Sequence, residues 1–221
     1  MRVKTLLYPS IFLAISLTYG ETEIFLRVRP SQEHRKEKGE QQKLLDHPNW
    51  LAPFVPTPFK VVEAILKLAS VRENDLVYDL GSGDGRIVIM AAQKFHARGV
   101  GIEFDENLYQ KATSAIKQFR LQERVKVIQG DIFNQDLSPA TVVTVYLLPK
   151  SLEKIAPILE KQLSKRTRVV TVDGQIQGWI WVRKKQVKDK ARAAPYNLYL
   201  YQVGVTRGNN PQKTTKFLAS Y

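Results

Sequence analysis

Residues 78–88, YDLGSGDGRIV, place Gly81, Gly83 and Gly85 within five positions between two apolar runs. Glycine loses more conformational entropy on folding than any other residue, so three together are kept where the backbone turns through positive φ or something must approach it closely. A short apolar run, residues 76–80, precedes the loop, and a helical pattern, residues 86–95, follows it. A strand that turns on glycines and passes straight into a helix opens a βαβ unit, which restricts the chain to a parallel sheet with right-handed crossovers.

The downstream pattern continues the alternation. Residues 100–104 read as the second strand, Asp105 caps a helix running to about residue 120, and residues 125–129 form the third strand. The run 141–148, TVVTVYLL, is β-branched and almost wholly apolar, as a central strand buried on both faces requires. Ser151 caps a helix to about residue 163, bent at Pro157, and residues 168–172 form the fifth strand. Residues 179–187 and 197–205 flank a basic segment and read as an antiparallel pair at the sheet edge. Upstream, Thr57 is the expected N-cap of a helix with Pro58 at its first position, and Val61, Val62, Ile65, Leu66 and Ala69 follow at helical spacing. The fold class is α/β, a Rossmann-like doubly wound sheet.

The absence of cysteine excludes disulfides, thiolate zinc sites and a cysteine nucleophile. His34, His47 and His96 lack ligand spacing, so no metal site is expected. The net charge of +13 is uneven: residues 161–221 carry 13 Lys/Arg against 2 Asp/Glu. Such a segment attracts polyanions, or else keeps an exposed hairpin soluble.

The N-terminus has Arg2 and Lys4, an apolar stretch over residues 5–20 and polar residues from Glu21. The stretch is shorter than the roughly 20 residues that span a bilayer comfortably, and Thr18 and Gly20 are small residues suited to cleavage. Residues 1–20 are expected to be a signal-like or membrane-anchor segment and 21–49 a charged linker. The folded domain occupies 50–205 and a basic tail 206–221.

In doubly wound sheets, ligands bind at the carboxyl ends of the strands, where a glycine turn and a helix N-terminus offer unpaired N–H groups. A dinucleotide fingerprint is G-x-G-x-x-G, whereas this loop is G-x-G-x-G and follows an acid. S-adenosylmethionine suits it better. Asp79 suits its ammonium end, Glu103 both ribose hydroxyls and Asp131 the adenine amino group, three acids at three successive strand ends.

DLGSGDGRIV, GVGIEFD, GDIF and ATVVTVYLLP together resemble the successive motifs of class I S-adenosylmethionine-dependent methyltransferases. The preceding PFVPTP, residues 53–58, makes the chain similar to bacterial relatives of the mitochondrial lysine methyltransferases acting on ATP synthase and on the adenine nucleotide translocase. The resemblance runs from about residue 50 to 179. It implies a mostly parallel seven-stranded sheet in the order 3-2-1-4-5-7-6 with an antiparallel last strand. It also implies Asp79, Gly81, Ser82, Gly83 and Gly85 around the methionine half of the cofactor, Glu103 on the ribose, and Asp131 with Ile132 by the adenine.

One departure bears on the acceptor. The fourth strand ends in Tyr146-Leu147-Leu148-Pro149, not the Asn/Asp-Pro-Pro-Tyr/Phe signature of enzymes that methylate nucleic acid bases or glutamine amides, so nucleic acid is not the expected partner. A protein lysine is the expected acceptor, and it must arrive neutral from a reference pKa of about 10.4. The candidates for a dry acceptor pocket are Val55, Pro56, Tyr146, Leu148, Pro149 and Trp179, with Tyr146 alternatively core and Trp179 alternatively a cap on the sheet. No general base is assigned. Three other readings stay open: methylation of a small molecule or lipid, a noncatalytic polyanion-binding module, and a NAD-dependent oxidoreductase. S-adenosylmethionine is made in the cytoplasm, so a retained anchor with the catalytic domain facing the cytoplasm is expected, with export after cleavage near Gly20 as the alternative.

Overall fold

The computed structural model describes residues 3–7, 13–19, 22–28 and 47–206. The chain divides after Trp50 into two compact units. In the first, β1 (Val3–Leu7), β2 (Leu13–Tyr19) and β3 (Thr22–Val28) form an antiparallel sheet in that order. The apolar N-terminal stretch therefore enters two strands, and the first part of the expected linker forms a third. Among the described residues no helix is long and apolar enough to cross a membrane. The charged run 31–43 and the tail 207–221 lie outside the described residues.

The second unit begins with α1 (Phe59–Leu68), β4 (Leu76–Leu80), α2 (Arg86–Phe95) and β5 (Arg98–Glu103). It continues through α3 (Glu106–Gln118), β6 (Val125–Gln129), a 3-10 turn (Ile132–Asn134) and β7 (Val142–Val145). It closes with α4 (Pro149–Gln162), β8 (Arg168–Val172), β9 (Trp179–Val187) and β10 (Tyr196–Thr206). The sheet order is β6-β5-β4-β7-β8-β10-β9, which is 3-2-1-4-5-7-6 within this unit. β10 runs antiparallel to both neighbours, and the remaining pairs are parallel.

Alternation along the central strands builds the core on both faces. Val77, Val142, Val170 and Leu198 pack with Val62 and Ile65 of α1 and Ile87 of α2. Val143, Val145 and Val169 pack on the other face with Leu152, Ile155 and Leu159 of α4 and with Tyr201. Every residue of β7 is buried, in keeping with its continuous apolar run.

Three boundaries differ from the sequence reading. Thr57 is not the cap of α1: Pro58 holds non-helical dihedrals there, and its carbonyl accepts the N–H groups of Val61 and Val62 at 2.8 and 2.9 Å. β7 is shorter than the run 141–148, because its neighbour β4 ends at Leu80 and turns at Gly81, leaving Tyr146 without a ladder partner. α4 then starts at Pro149 with Leu148 as its cap, and Ser151 lies inside the first turn, its hydroxyl donating to the Leu51 carbonyl at 2.5 Å. α4 runs through Pro157.

At the amino edge of the sheet a polar cluster ties three elements together. Arg168 pairs with Asp75 and donates to the carbonyls of Ala69 and Ser70 at 2.7 and 2.9 Å. Thr141 donates to Asp75 at 2.7 Å and accepts from the Leu76 amide at 2.9 Å. The cluster fixes where α1, β4 and β8 begin or end, and with them the opposite, carboxyl edge.

Candidate active site

The glycine loop leaves β4 at the carboxyl edge. Gly81, Gly83 and Gly85 have φ of 76°, 56° and 78°, the left-handed region that side chains disfavour, and Gly85 caps α2. The amides of Gly81 and Ser82 both donate to the Ile102 carbonyl at 3.0 Å, which folds the loop across the end of β5. At Gly83 a Cβ would overlap the Phe54 ring, so close approach as well as turning demands glycine there.

Two buried carboxylates face this loop from adjacent strand ends. Asp79 is 3% exposed and accepts from the Thr144 hydroxyl at 2.6 Å. Burial raises its pKa to about 7, the Thr144 hydrogen bond opposes the rise, and the negative charges of Glu103 and Asp84 add to it. Glu103 accepts from the Gly83 amide at 2.6 Å through one oxygen and from the Asp105 amide at 2.9 Å through the other. Burial also pushes Glu103 upward, against those backbone hydrogen bonds.

The third acid stands differently. Asp131 caps the 3-10 turn and accepts from the Phe133 amide at 2.9 Å, while Ile132 is buried in the core. Just before them, Gly130 donates to the Glu103 carbonyl at 2.8 Å, tying the end of β6 to the end of β5.

The lead-in to α1 is bolted onto the loop by Arg86, a residue sequence reasoning passed over. Its guanidinium grips Asp84 through Nε at 2.8 Å and Nη2 at 2.5 Å, and Nη1 donates to the Thr57 carbonyl at 2.7 Å. It lies 6.0 and 5.5 Å from the ring centroids of Phe54 and Phe59. Burial works against ionisation of Asp84, but Arg86 outweighs it and holds the carboxyl below the ordinary range.

The acceptor-pocket candidates separate. Tyr146 is half-buried, but Val55 and Leu148 are 53% and 47% exposed, and Pro56 and Pro149 are exposed as well. All four are exposed and apolar, so they do not themselves enclose a dry pocket. Trp179 does not join them. It opens β9 opposite Thr206 at the far edge of the sheet, donates to Glu160 at 2.7 Å and packs edge-on against Tyr201. It caps the sheet there.

The polar groups fit a specific ligand. Ser82 Oγ is buried with no hydrogen-bond partner among the described residues, and an added Cβ on Gly101 would lie 2.6 Å from it. A buried hydroxyl without a partner costs about 1–3 kcal/mol, which a ligand at this loop removes. A buried acid suited to an ammonium and a second with lone pairs left for a diol complete the donor set of S-adenosylmethionine. No group of three or more His, Cys, Asp or Glu among the described residues is arranged to hold a metal ion.

Sheet order, loop and donor set define a class I S-adenosylmethionine-dependent methyltransferase. A crystal structure described as an RNA methyltransferase from Salinibacter ruber with S-adenosyl-L-homocysteine superposes with a TM-score of 0.64 and 44% identity, over 71% of this chain and 98% of that one. Residues 79–183 match the ANTKMT methyltransferase domain. A protein-lysine N-methyltransferase from Saccharolobus islandicus is 40% identical over 69% of this chain and 94% of its own length. The chain belongs to the methyltransferase family of these relatives. A human lysine N-methyltransferase of ATP synthase is 30% identical over 58% of this chain, which spans about half (54%) of that enzyme's length.

Proposed function

We propose that this enzyme methylates the ε-amine of lysine in a protein, and that the protein is membrane-associated. The carrying observation is the 40% identity to a protein-lysine N-methyltransferase across 94% of that relative. The exposure of the apolar residues Val55, Pro56, Leu148 and Pro149 supports it, since exposed apolar surface suits a folded or helical protein that brings its own apolar area. Once seated, the protein completes the dry environment that lowers the lysine pKa. Membrane association draws on the apolar N-terminal segment with Arg2 and Lys4, retained so that the catalytic domain faces the cytoplasm.

In this reading Asp79 takes the ammonium of the cofactor, and the backbone of Gly81, Gly83 and Gly85 with the Ser82 hydroxyl lines its methionine half. Glu103 keeps lone pairs for the ribose diol after accepting two backbone N–H groups, and Asp131 and Ile132 border the adenine. When bound, the sulfonium supplies an already activated methyl group. The chain's own residues then have to align a neutral amine with it and exclude water, and orientation of that kind removes ~7–11 kcal/mol of barrier.

The Salinibacter description favours a second reading, RNA as acceptor. One experiment separates them: labelled S-adenosylmethionine, the purified protein, and membranes and RNA from its own host, with the label mapped by mass spectrometry. Methyl-lysine on a membrane protein is the expected result. Label in RNA or extracted lipid overturns the lysine reading. A mature N-terminus beginning at Glu21 refutes the retained anchor.

A further inference from the structure

Residues that the sequence does not single out converge on one hydroxyl. Tyr146 follows the last rung between β7 and β4, where Val145 lies opposite Leu80. Thr144, two residues earlier, bonds Asp79. Tyr146 packs against the same cluster as Val77 and Val142, so it extends from the face that carries the Asp79–Thr144 pair, one step nearer the carboxyl edge. Its hydroxyl donates to Asp173 at 3.3 Å and accepts from Arg192 at 3.4 Å.

Those two partners are fixed far more firmly than a surface ion pair. Arg192 reaches both oxygens of Asp173, at 2.7 and 2.9 Å, donates to the carbonyls of Ala194 and Pro195 at 3.0 and 2.8 Å, and stacks 3.6 Å over the Tyr196 ring. Asp173 has φ of 60°, unusual for a side-chain-bearing residue, and is pinned there by exchanging backbone and side-chain hydrogen bonds with Asn197 at 2.7 and 3.0 Å. These bonds fasten the connection between β9 and β10 to the end of β8, and in doing so they hold two charged partners on the Tyr146 hydroxyl at the carboxyl edge of the sheet.

We propose that Asp173 and Arg192 are positioning residues for methyl transfer, acting through Tyr146. Asp173 takes the hydroxyl proton as a hydrogen-bond acceptor and Arg192 occupies one lone pair, which leaves the second Tyr146 lone pair to accept one N–H of the acceptor amine. The amine's own lone pair stays free to attack in line. The amine nitrogen forms its bond to the methyl carbon as the carbon–sulfur bond breaks and sulfur keeps that pair; the methylated ammonium afterwards loses a proton to water. This rests on the preceding reading only in that the acceptor is an amine.

The test measures initial rates at saturating labelled S-adenosylmethionine with host extract, the label being partitioned into protein, RNA and lipid. The variants are Y146F, D173N, R192A, Y146F/D173N and Y146F/R192A. Each single variant is expected to lose about 10- to 100-fold in rate, the range that a small misplacement of a reacting group produces. Cofactor affinity of D173N and R192A by calorimetry stays within about twofold of wild type, because the bonds of both residues go to Tyr146, to each other and to residues 194–197, not to the glycine loop. Each double variant is as slow as Y146F and no slower, since the two residues act through that hydroxyl. Y146F at wild-type rate overturns the proposal even if the charged-residue variants fail to fold, and so do double variants whose losses multiply. Label in RNA instead of protein refutes the lysine reading alone, and the cycle is then read on that label.

Discussion

Replacing Asp79 with Asn sets stability against cofactor binding. The carboxyl is buried, and its pKa rises from 3.8 to about 7 through burial and the neighbouring charges of Glu103 and Asp84, with Thr144 opposing. A folded-state value above the unfolded one stabilises the fold fully below the unfolded value, and that contribution is lost as pH rises through about 7. At about 1.4 kcal/mol for each tenfold difference in ionisation, the gap between 3.8 and about 7 corresponds to about 4 kcal/mol lost above neutrality. Asn keeps an oxygen for the Thr144 hydroxyl and carries no charge. The cofactor-free D79N protein is therefore expected to be more stable than wild type above about pH 8, by up to that amount, with the advantage vanishing below about pH 4. Urea unfolding across this range measures it, and calorimetry with S-adenosylhomocysteine should show binding abolished in D79N. A variant that unfolds more easily than wild type at high pH, or that binds with unchanged affinity, refutes the placement of a buried ionisable acid at the cofactor.

Wild-type affinity for S-adenosylmethionine should itself rise as pH increases through about 7, because Asp79 must ionise to meet an ammonium; titration calorimetry at several pH values reads this slope. S82A removes a hydroxyl with no partner among the described residues, so thermal stability of the cofactor-free protein should hold or improve by about 1 kcal/mol while cofactor affinity falls. G83A forces a side chain into the left-handed region, at about 1–2 kcal/mol, and into the Phe54 ring; adding F54A should recover part of the lost stability by removing that overlap. D75N should cost about 2–3 kcal/mol in urea by breaking the Arg168 pair, with kcat/KM unchanged, because that cluster lies at the amino edge away from the site.

The strands and the glycine loop were legible because their signals are local. Periodicity marks β4 to β6, and positive φ with close approach leaves glycine at Gly81, Gly83 and Gly85. Asp79 and Glu103 could be read because each ends an apolar run. The same rule, extended to the fifth strand, points at Asp173 directly after Val172, and the polar Thr144 set between Val143 and Val145 was a second available signal. Arg192 and Arg86 were not legible. Their roles depend on partners 19 and 29 positions away, Asp173 and the Thr57 carbonyl, and nothing in a basic run distinguishes the arginine that turns inward. Trp179 stayed open between pocket wall and sheet cap for a related reason: the segment after β8 returns to the amino edge before β9 begins, and no residue in it announces that path.

β9 is the outermost strand of its sheet, paired on one side by β10, and Arg183, Lys184 and Lys185 along it are exposed. The other side of such a strand offers a row of N–H and C=O groups on which another chain's strand can template. A second copy approaching this edge brings the same three cations, and their repulsion prevents the two edges from zipping together. The chain thereby carries its own guard against aggregation, one that weakens as salt shortens the reach of charge, to about 3 Å at 1 M.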